Sequence, residues 1–262
     1  MEPPPPTLET QPPAIQPPRM SLLARLLNIF ATPGEVFDDV KNSPPTMANW
    51  LVPAVLMSIV GAISAFIIFS QPAVAQQIRE HQRKVIDQQV EAGKLTREKA
   101  DEGMAAIERM TGLMPVFGSV GAVTMSFVQV FAWAFMLWLI GRFLLKADIG
   151  YLKLAEVAGL SSTIDVLEMI VKMLLVVSLS NPLASPSLAI LLKDPDPQNT
   201  MYTVLNLVNV MTFWALAVRS LGLSRLAGVS FGRAALGVFG AWMLLMTVLI
   251  VLGGIVQAAF GQ

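Results

Sequence analysis

The sequence predicts an all-α polytopic membrane protein, with five transmembrane helices and an extramembrane helical hairpin. Apolar residues make up 54% of the 262 residues and charged residues only 14%, which is too apolar for a soluble domain of this length. Five apolar stretches are each close to the ~20 residues needed to cross the hydrocarbon core of a bilayer. These predicted spans lie at about residues 50–70, 113–140, 157–179, 201–218 and 234–260.

Charge and residue content argue against several classes of function. Lysine plus arginine equals aspartate plus glutamate at 18 each, so no excess of positive charge favours a nucleic-acid partner. Cysteine is absent, which excludes thiol nucleophiles, disulfides and iron–sulfur clusters. The sequence has no H-E-x-x-H, G-x-S-x-G or phosphate-binding glycine loop, and its single histidine, His81, lies outside the spans. We therefore expect no enzyme activity, no cofactor and no metal site.

The region before the first span divides into two parts. Residues 1–19 are rich in proline and poor in apolar residues, and predict a disordered tail because they cannot bury enough surface to offset the entropy cost of ordering. Residues 20–49 lead into the first span. Apolar residues within Met20–Phe30 follow helical spacing while Ser21, Arg25 and Asn28 occupy the opposite face. This pattern predicts an amphipathic helix lying flat in the membrane interface.

The hydrophilic loop 71–111 follows the first span and predicts two polar helices that break near Gly93. Each helix carries a weak apolar stripe, and Thr96 is placed to cap the second one. Acidic and basic side chains are balanced along the loop. We therefore expect a solvated helical hairpin outside the membrane, with His81 at its surface.

The connection between the third and fourth spans contains the apolar run Leu188–Leu192. Turn-forming residues bracket this run, with Asn181-Pro182 before it and Asp194-Pro195-Asp196-Pro197 after it. The run is too short to cross a bilayer. We therefore predict an interfacial or shallow re-entrant segment.

Small residues spaced four apart occur in several spans and predict faces for close helix packing. Such faces can join helices of one chain or bring two copies together. The pairs are Gly61 with Ala65, Gly118 with Ala122, Gly237 with Ala241, and Gly254 with Ala258.

Basic residues in the short connections predict the orientation of the chain. The connection after the second span carries Arg142, Lys146 and Lys153, and the one after the fourth carries Arg219, Arg225 and Arg233. The positive-inside rule places both in the cytoplasm, with the N-terminus inside and the C-terminus outside. The base-rich loop 71–111 argues the other way, but a long folded loop translocates largely regardless of its charge.

The span at 157–179 is the only one of the five that carries charged side chains, which are Asp165, Glu168 and Lys172. At ~100° per residue these three and Ser161 fall within a sector of roughly 60° on one helix face. Glu168 lies four residues before Lys172, which is the favourable orientation for a helical ion pair. The charges therefore form a stripe.

Inserting this span alone is unfavourable. Each charge costs about 2.5 to 3.5 kcal/mol at a helix centre, so three cost roughly 8 to 10 kcal/mol, whereas the large aliphatic residues return only about 4 to 7 kcal/mol. The stripe should therefore face other helices, where Gln129 on the second span and Asn206 and Asn209 on the fourth are candidate partners. These six polar residues form a candidate intramembrane cluster, which serves either structural pairing or ligand and proton handling.

Two sequence motifs point to a known family. Phe30-Ala31-Thr32-Pro33-Gly34-Glu35-Val36-Phe37 and then Pro44-Pro45 precede the first span, and Lys146-Ala147-Asp148-Ile149-Gly150-Tyr151-Leu152-Lys153 leads into Val157-Ala158-Gly159-Leu160-Ser161-Ser162. With the five-span layout, these motifs resemble the Yip family, membrane proteins named for interaction with Ypt/Rab-type GTPases. The resemblance runs from about Leu26 to the last span, and the large loop after the first span looks like the bacterial branch.

The resemblance implies an adaptor or membrane-shaping role, in a bacterial relative that lacks the GTPase partner. Our leading hypothesis is a non-enzymatic scaffold in the bacterial cytoplasmic membrane, whose partners are the lipid bilayer, other membrane proteins or a second copy. The alternative is a small transporter or channel subunit whose path is lined by the polar stripe. Five spans do not divide into two inverted halves and the chain has no internal repeat, which argues against that alternative.

Overall fold

The structure, a computed structural model, describes residues 19–193, 195–196 and 199–260, without the side chains of His81 and residues 255–260. Regular secondary structure among the described residues is helical, which confirms the predicted all-α class. Three expectations fall outside the described part. They are the disorder of the tail up to Pro18, the surface position of the His81 side chain, and the contribution of Asp194 and Pro197 to a turn.

Nine α-helices follow one another along the described part of the chain. They are α1 (Leu22–Asn28), α2 (Pro33–Asn42), α3 (Ala48–Phe69), α4 (Pro72–Glu91), α5 (Arg97–Leu139), α6 (Tyr151–Leu179), α7 (Thr200–Leu207), α8 (Val210–Ala227) and α9 (Phe231–Phe260). A π-helical turn, Ile140–Leu144, extends α5, and a 3-10 turn, Leu188–Leu191, lies between α6 and α7.

Three helices of the described chain are long and apolar enough to cross a membrane: Ala48–Phe69, Arg97–Leu144 and Phe231–Gly254. They contain the second predicted span and most of the first and fifth. The third predicted span lies in α6, which carries the charged stripe, and the fourth is divided between α7 and α8. The count of five transmembrane helices therefore stays a prediction.

The charged helix α6 forms the centre of the bundle, packed by α3, α5 and α8. Every residue from Leu154 to Val166 is buried. Gly159 permits the closest approach, because a Cβ at this position would lie only 2.3 Å from Cα of Trp50 on α3. Outward-facing side chains of α3, α5 and α9 are instead large, apolar and exposed, as lipid contact requires.

The short helix α1 is oriented differently from the sequence-based expectation. Arg25, which we placed on the polar outer face, is only 6% exposed, whereas Leu23 and Leu27 are 66% and 62% exposed. The reason is that the Arg25 guanidinium donates hydrogen bonds to polar side chains of α2 and α3 at the end of the bundle. The neighbouring helix α2 buries Val36 and Phe37 completely, and so fastens this segment to α6 and α8.

The hydrophilic hairpin and the second predicted span share one helix. α4 ends at Glu91, a turn with Gly93 at φ +68° follows, and Thr96 caps α5 by accepting a hydrogen bond from the Lys99 amide at 3.4 Å. α5 then runs for 43 residues without a break. We expected a separate hairpin helix, but near Thr111 only the polarity of the sequence changes, and a change of polarity does not end a helix.

The fourth predicted span, 201–218, is not one helix in the structure. It breaks at Val208–Asn209. There Oδ1 of Asn209 accepts hydrogen bonds from the backbone amides of Met211 at 2.9 Å and Thr212 at 3.4 Å, and so caps α8. Asparagine favours such caps because its side chain competes with the helical backbone for hydrogen bonds. The freed backbone pairs with the segment before the 3-10 turn, in an isolated antiparallel bridge between Asn209 and Ser187.

Three of the four small-residue faces are used inside the chain. A Cβ at Gly61 would lie 3.4 Å from Cβ of Ala122, one at Gly118 would clash with Phe69 at 2.6 Å, and one at Gly237 would clash with Ile140 at 2.6 Å. These faces are therefore filled by neighbouring helices and are not available to a second copy. A Cβ at Gly254 would have no atom of a neighbouring helix within 4 Å among the described residues, so this face has no partner helix there.

Candidate functional site: a buried polar core

The centre of the candidate site is an ion pair between α6 and α8. Asp165 forms a salt bridge with Nη2 of Arg219, and their side chains are only 10% and 2% exposed. Arg219 also lies over the ring of Trp133, with Cζ 4.1 Å from the ring centroid, which adds a cation–π contact. We expected Arg219 in a cytoplasmic connection, but α8 continues past it to Ala227, so it lies inside the bundle.

A third helix joins this ion pair through Gln129. Its Nε2 donates to Oδ2 of Asp165 at 3.0 Å, across the interface between α5 and α6. Since Asp165 thus accepts from both α5 and α8, its carboxylate links three helices at one point. The charge is buried but compensated, which is the condition under which a buried carboxylate is tolerated.

Glu168 lies one turn further along α6 and is held by the broken helix. Nδ2 of Asn209 donates to Oε1 of Glu168 at 2.6 Å, while Oδ1 of Asn209 caps α8. One asparagine therefore satisfies the backbone of α8 and a carboxylate of α6 together. The break at Asn209 is what positions its amide for both contacts.

Two of the six candidate residues lie apart from this centre. Lys172 is exposed, and the described residues place no carboxylate within 4 Å of its amine, so the expected pair with Glu168 is not formed. The physical reason is that Glu168 is bonded to Asn209, while Lys172 lines a cavity. Asn206 instead accepts hydrogen bonds from the hydroxyls of Ser185 at 2.9 Å and Ser187 at 3.1 Å.

A second buried polar cluster fastens α1 and α2 to the end of the bundle. Nε of Arg25 donates to Oδ2 of Asp39 at 2.8 Å, and its Nη1 donates to Oδ1 of Asn49 at 3.0 Å. Nδ2 of Asn49 in turn donates to Oε1 of Glu156 at 2.7 Å. Nζ of Lys153 completes the cluster, 2.9 Å from Oε2 of Glu156. We call these five residues the terminal cluster.

Lys153 also holds the chain that joins α2 to α3. Its amine donates to the carbonyl oxygens of Val40 and Ser43, each at 2.6 Å. A lysine that donates to the last carbonyls of α2 is favourably placed against the negative end of the helix dipole. The first turn of α6 therefore holds the end of α2 by hydrogen bonds.

Comparison with known proteins identifies the family. Residues 27–252, most of the chain, match the family model described as Yip1 domain. The chain belongs to the Yip1 family. This confirms the resemblance that the motifs before the first span and before α6 predict. Searches of the curated proteins and of the solved structures found no match.

In this Yip1-family chain, the sequence-based predictions missed Arg219 and the terminal cluster, whose Arg25 lies just before the matched residues. Glu156 had a local signal, since it stands three residues after Lys153 at the start of an apolar run. Arg219 had a weaker one, since it directly follows the apolar stretch that ends at Val218. Arg25 had none, since a lone arginine opposite an apolar stripe is the normal pattern of a solvated face.

The chemistry that this arrangement offers is pairing and positioning. Among the described residues no group of three or more His, Cys, Asp or Glu side chains is placed to hold a metal ion. Asp165 and Glu168 contact amide or guanidinium groups, and they face α5 and α8 and not each other. An acid–base pair of facing carboxylates is therefore not formed at this site.

Proposed function

We propose that this Yip1-domain protein is a non-enzymatic integral membrane scaffold or adaptor. The observation that supports this proposal is the pairing of Asp165 and Glu168 with groups of two other helices, α5 and α8. The large cavity beside α6 is lined by Lys172 but by neither of these carboxylates. The polar groups that we singled out thus fix the mutual positions of α5, α6 and α8, which is a structural task.

The surface offered to partners in this proposal is the α1–α2 end of the bundle. The terminal cluster anchors these helices, while Leu23 and Leu27 stay exposed beside them. We place this end in the cytoplasm, because Arg142, Arg225 and Arg233 all lie at the ends of helices that meet there. Arg219, being buried, no longer counts towards this orientation.

The test compares assembly with solute flux in one set of proteins. The wild type and Asp165→Asn are reconstituted in proteoliposomes and assayed for proton and potassium flux with entrapped dyes. In parallel, both are crosslinked in native membranes and their neighbours identified. A scaffold gives no saturable flux and a neighbour set that Asp165→Asn alters. Saturable flux that Asp165→Asn abolishes would overturn the proposal.

A small transporter or channel subunit is the second candidate, and the broken α7–α8 element favours it. Helix breaks at membrane depth place unpaired backbone groups and polar side chains near a transport path in many carriers. Single cysteines in place of Asp165, Glu168 and Lys172 separate the two candidates. A transport path leaves all three open to aqueous thiol reagents, whereas a scaffold closes the first two.

A further inference from the structure

A cavity of about 1160 Å³ lies between the helical hairpin and the bundle. Its walls come from α3, α4, α5 and α6, and the loop after α6 closes one side. Ligand pockets for small molecules typically measure about 300 to 1000 Å³, so this cavity has room for a large ligand. The scaffold proposal makes no use of it.

The walls formed by the bundle are apolar. Three small residues at the edge of the contact between α3 and α5, namely Gly61, Ala65 and Ala122, line the cavity, and larger apolar side chains flank them. The bundle residues concerned are Gly61, Ala65, Ile68, Phe69, Met114 and Met169. A hydrocarbon chain fits such a wall, because small residues on one side and flexible methionines on the other adapt to its shape.

One buried hydroxyl in this wall has no partner among the described residues. Ser64 is only 6% exposed, it lines the cavity, and its Oγ makes no hydrogen bond. Several other buried helix hydroxyls bond the carbonyl four residues earlier, as Ser58 and Ser126 do at 2.8 Å. An unpaired buried donor is unfavourable, so the Ser64 hydroxyl is a group that a bound molecule would satisfy.

Lys172 supplies a charge at the same cavity. It lies seven residues beyond Asp165, about 10 Å further along α6, and no described carboxylate is within 4 Å of its amine. Three other charged residues line the cavity. Glu80 and Lys84 carry opposite charges and lie at i and i+4 on α4, and Asp196 is exposed in the loop after α6. A cation at the end of an apolar wall suits an anionic head on a hydrocarbon tail.

We propose that this cavity binds one anionic phospholipid of the surrounding bilayer, with its phosphate beside Lys172 and an acyl chain along the α3–α5 wall. The apolar wall distinguishes this occupant from a free anion, which would gain nothing from contact with Gly61 or Ala65. The ammonium of Lys172 distinguishes it from an uncharged hydrocarbon. The site is independent of the scaffold role, since none of the residues that link α5, α6 and α8 lines it.

The test titrates the full chain in detergent with dioleoylphosphatidylglycerol and counts bound lipids by native mass spectrometry. The wild type binds one lipid, and Lys172→Gln weakens binding about fivefold, which is the effect of one basic side chain beside an anionic lipid. Lys172→Arg keeps the charge and retains binding. Lys193→Gln is the matched control, because Lys193 is an exposed lysine of the loop after α6 that does not line the cavity.

A second variant tests the apolar part of the site without touching its charge. Met114→Trp fills space against the wall, and we expect it to lower lipid occupancy while helical content and elution volume stay those of the wild type. Ser64→Ala removes the unpaired hydroxyl and lowers occupancy less than Lys172→Gln does. Retained occupancy in Met114→Trp would show that the lipid lies elsewhere on the surface and would overturn the proposal.

Three further results would also contradict it. Equal weakening by Lys172→Gln and Lys193→Gln would indicate general attraction of anionic lipid to the protein. Inorganic phosphate that displaces the lipid at comparable concentrations would indicate a simple anion site. A dimer that forms in place of lipid binding, and that Lys172→Gln disrupts, would assign the cavity to a second copy. Failure of these lipid arms leaves the flux and crosslinking result for the scaffold unaffected.

Discussion

Asp165 and Arg219 meet between α6 and α8, with Gln129 and Trp133 completing their surroundings. A charge at this depth is tolerated only with a partner, and breaking a buried pair costs more than replacing both members. The pair therefore behaves as a unit. The pair fixes how α6 and α8 are placed against each other. Its net contribution to the free energy of unfolding depends on which side chains replace the two residues.

Removing one member of this pair should be far more destabilising than removing both. Asp165→Asn leaves the Arg219 charge buried without a carboxylate, at a cost of about 3 to 5 kcal/mol. The double variant Asp165→Leu/Arg219→Met should recover most of that loss. The measurement is the thermal midpoint of each variant in detergent, followed by circular dichroism.

An exposed ion pair provides the control for this prediction. Arg142 and Asp148 lie 2.9 Å apart with side chains 55% and 96% exposed. Arg142→Gln should change stability by less than ~1 kcal/mol, as surface pairs usually do. If Asp165→Asn behaved like Arg142→Gln, the ion pair would not hold α6 against α8.

Gly159 allows a second test at the residue scale. Gly159→Ala puts a Cβ 2.3 Å from Cα of Trp50, so α3 and α6 must separate, at a cost of at least about 1 to 3 kcal/mol. Gly112→Ala is the matched control, since it is a helical glycine with no atom within 4 Å of a Cβ there, and it should be neutral or stabilising by up to ~1 kcal/mol. Thermal midpoints that fall equally in both variants would contradict the close contact.

At the scale of elements, the sequence predicts the ends of helices well where a turn or capping residue marks them, as at Gly93 and Thr96. The prediction fails where a single side chain determines whether a helix continues or breaks. Asn209 interrupts a mostly apolar stretch because it can cap α8 and reach Glu168, and the second contact is visible only in three dimensions. The burial of Arg25 was unpredictable for the same reason, since its partners come from α2 and α3.

The two capping asparagines give a prediction for the break itself. Asn209→Ala removes the cap of α8 and the hydrogen bond to Glu168, so it should cost more than the about 0.5 to 2 kcal/mol of a cap alone. Asn199→Ala is the control, because Asn199 caps α7 at an exposed position by accepting the Met201 amide at 2.8 Å. Equal losses in a thermal unfolding series would mean that the contact with Glu168 contributes nothing.

At the scale of the molecule, the absence of native cysteine makes topology directly measurable. With the α1–α2 end in the cytoplasm, a cysteine replacing Asp87 on α4 should react with an impermeant thiol reagent in intact cells. A cysteine replacing Arg233 at the start of α9 should react only after permeabilisation. Both side chains are exposed, so access to the reagent differs only by the side of the membrane.

The reverse labelling pattern would invert the orientation that we propose and move Leu23 and Leu27 to the outer surface. Labelling of both positions from outside would instead change the number of crossings between α4 and α9. The sequence indicates orientation only through its basic residues, and the burial of Arg219 removes one of them. Labelling therefore measures the membrane orientation directly, whereas the sequence indicates it through only a few basic side chains.

The second half of the hairpin and the second predicted span belong to one continuous helix, α5. Its polar part, residues 97–112, extends about 24 Å beyond the apolar part of the same helix. No turn separates the two parts, although Pro115 lies inside the helix near their junction, and α4 packs alongside the polar part. We therefore predict that a hairpin lying outside the membrane keeps a surface that touches its Gly93 tip about 24 Å from the apolar part of α5.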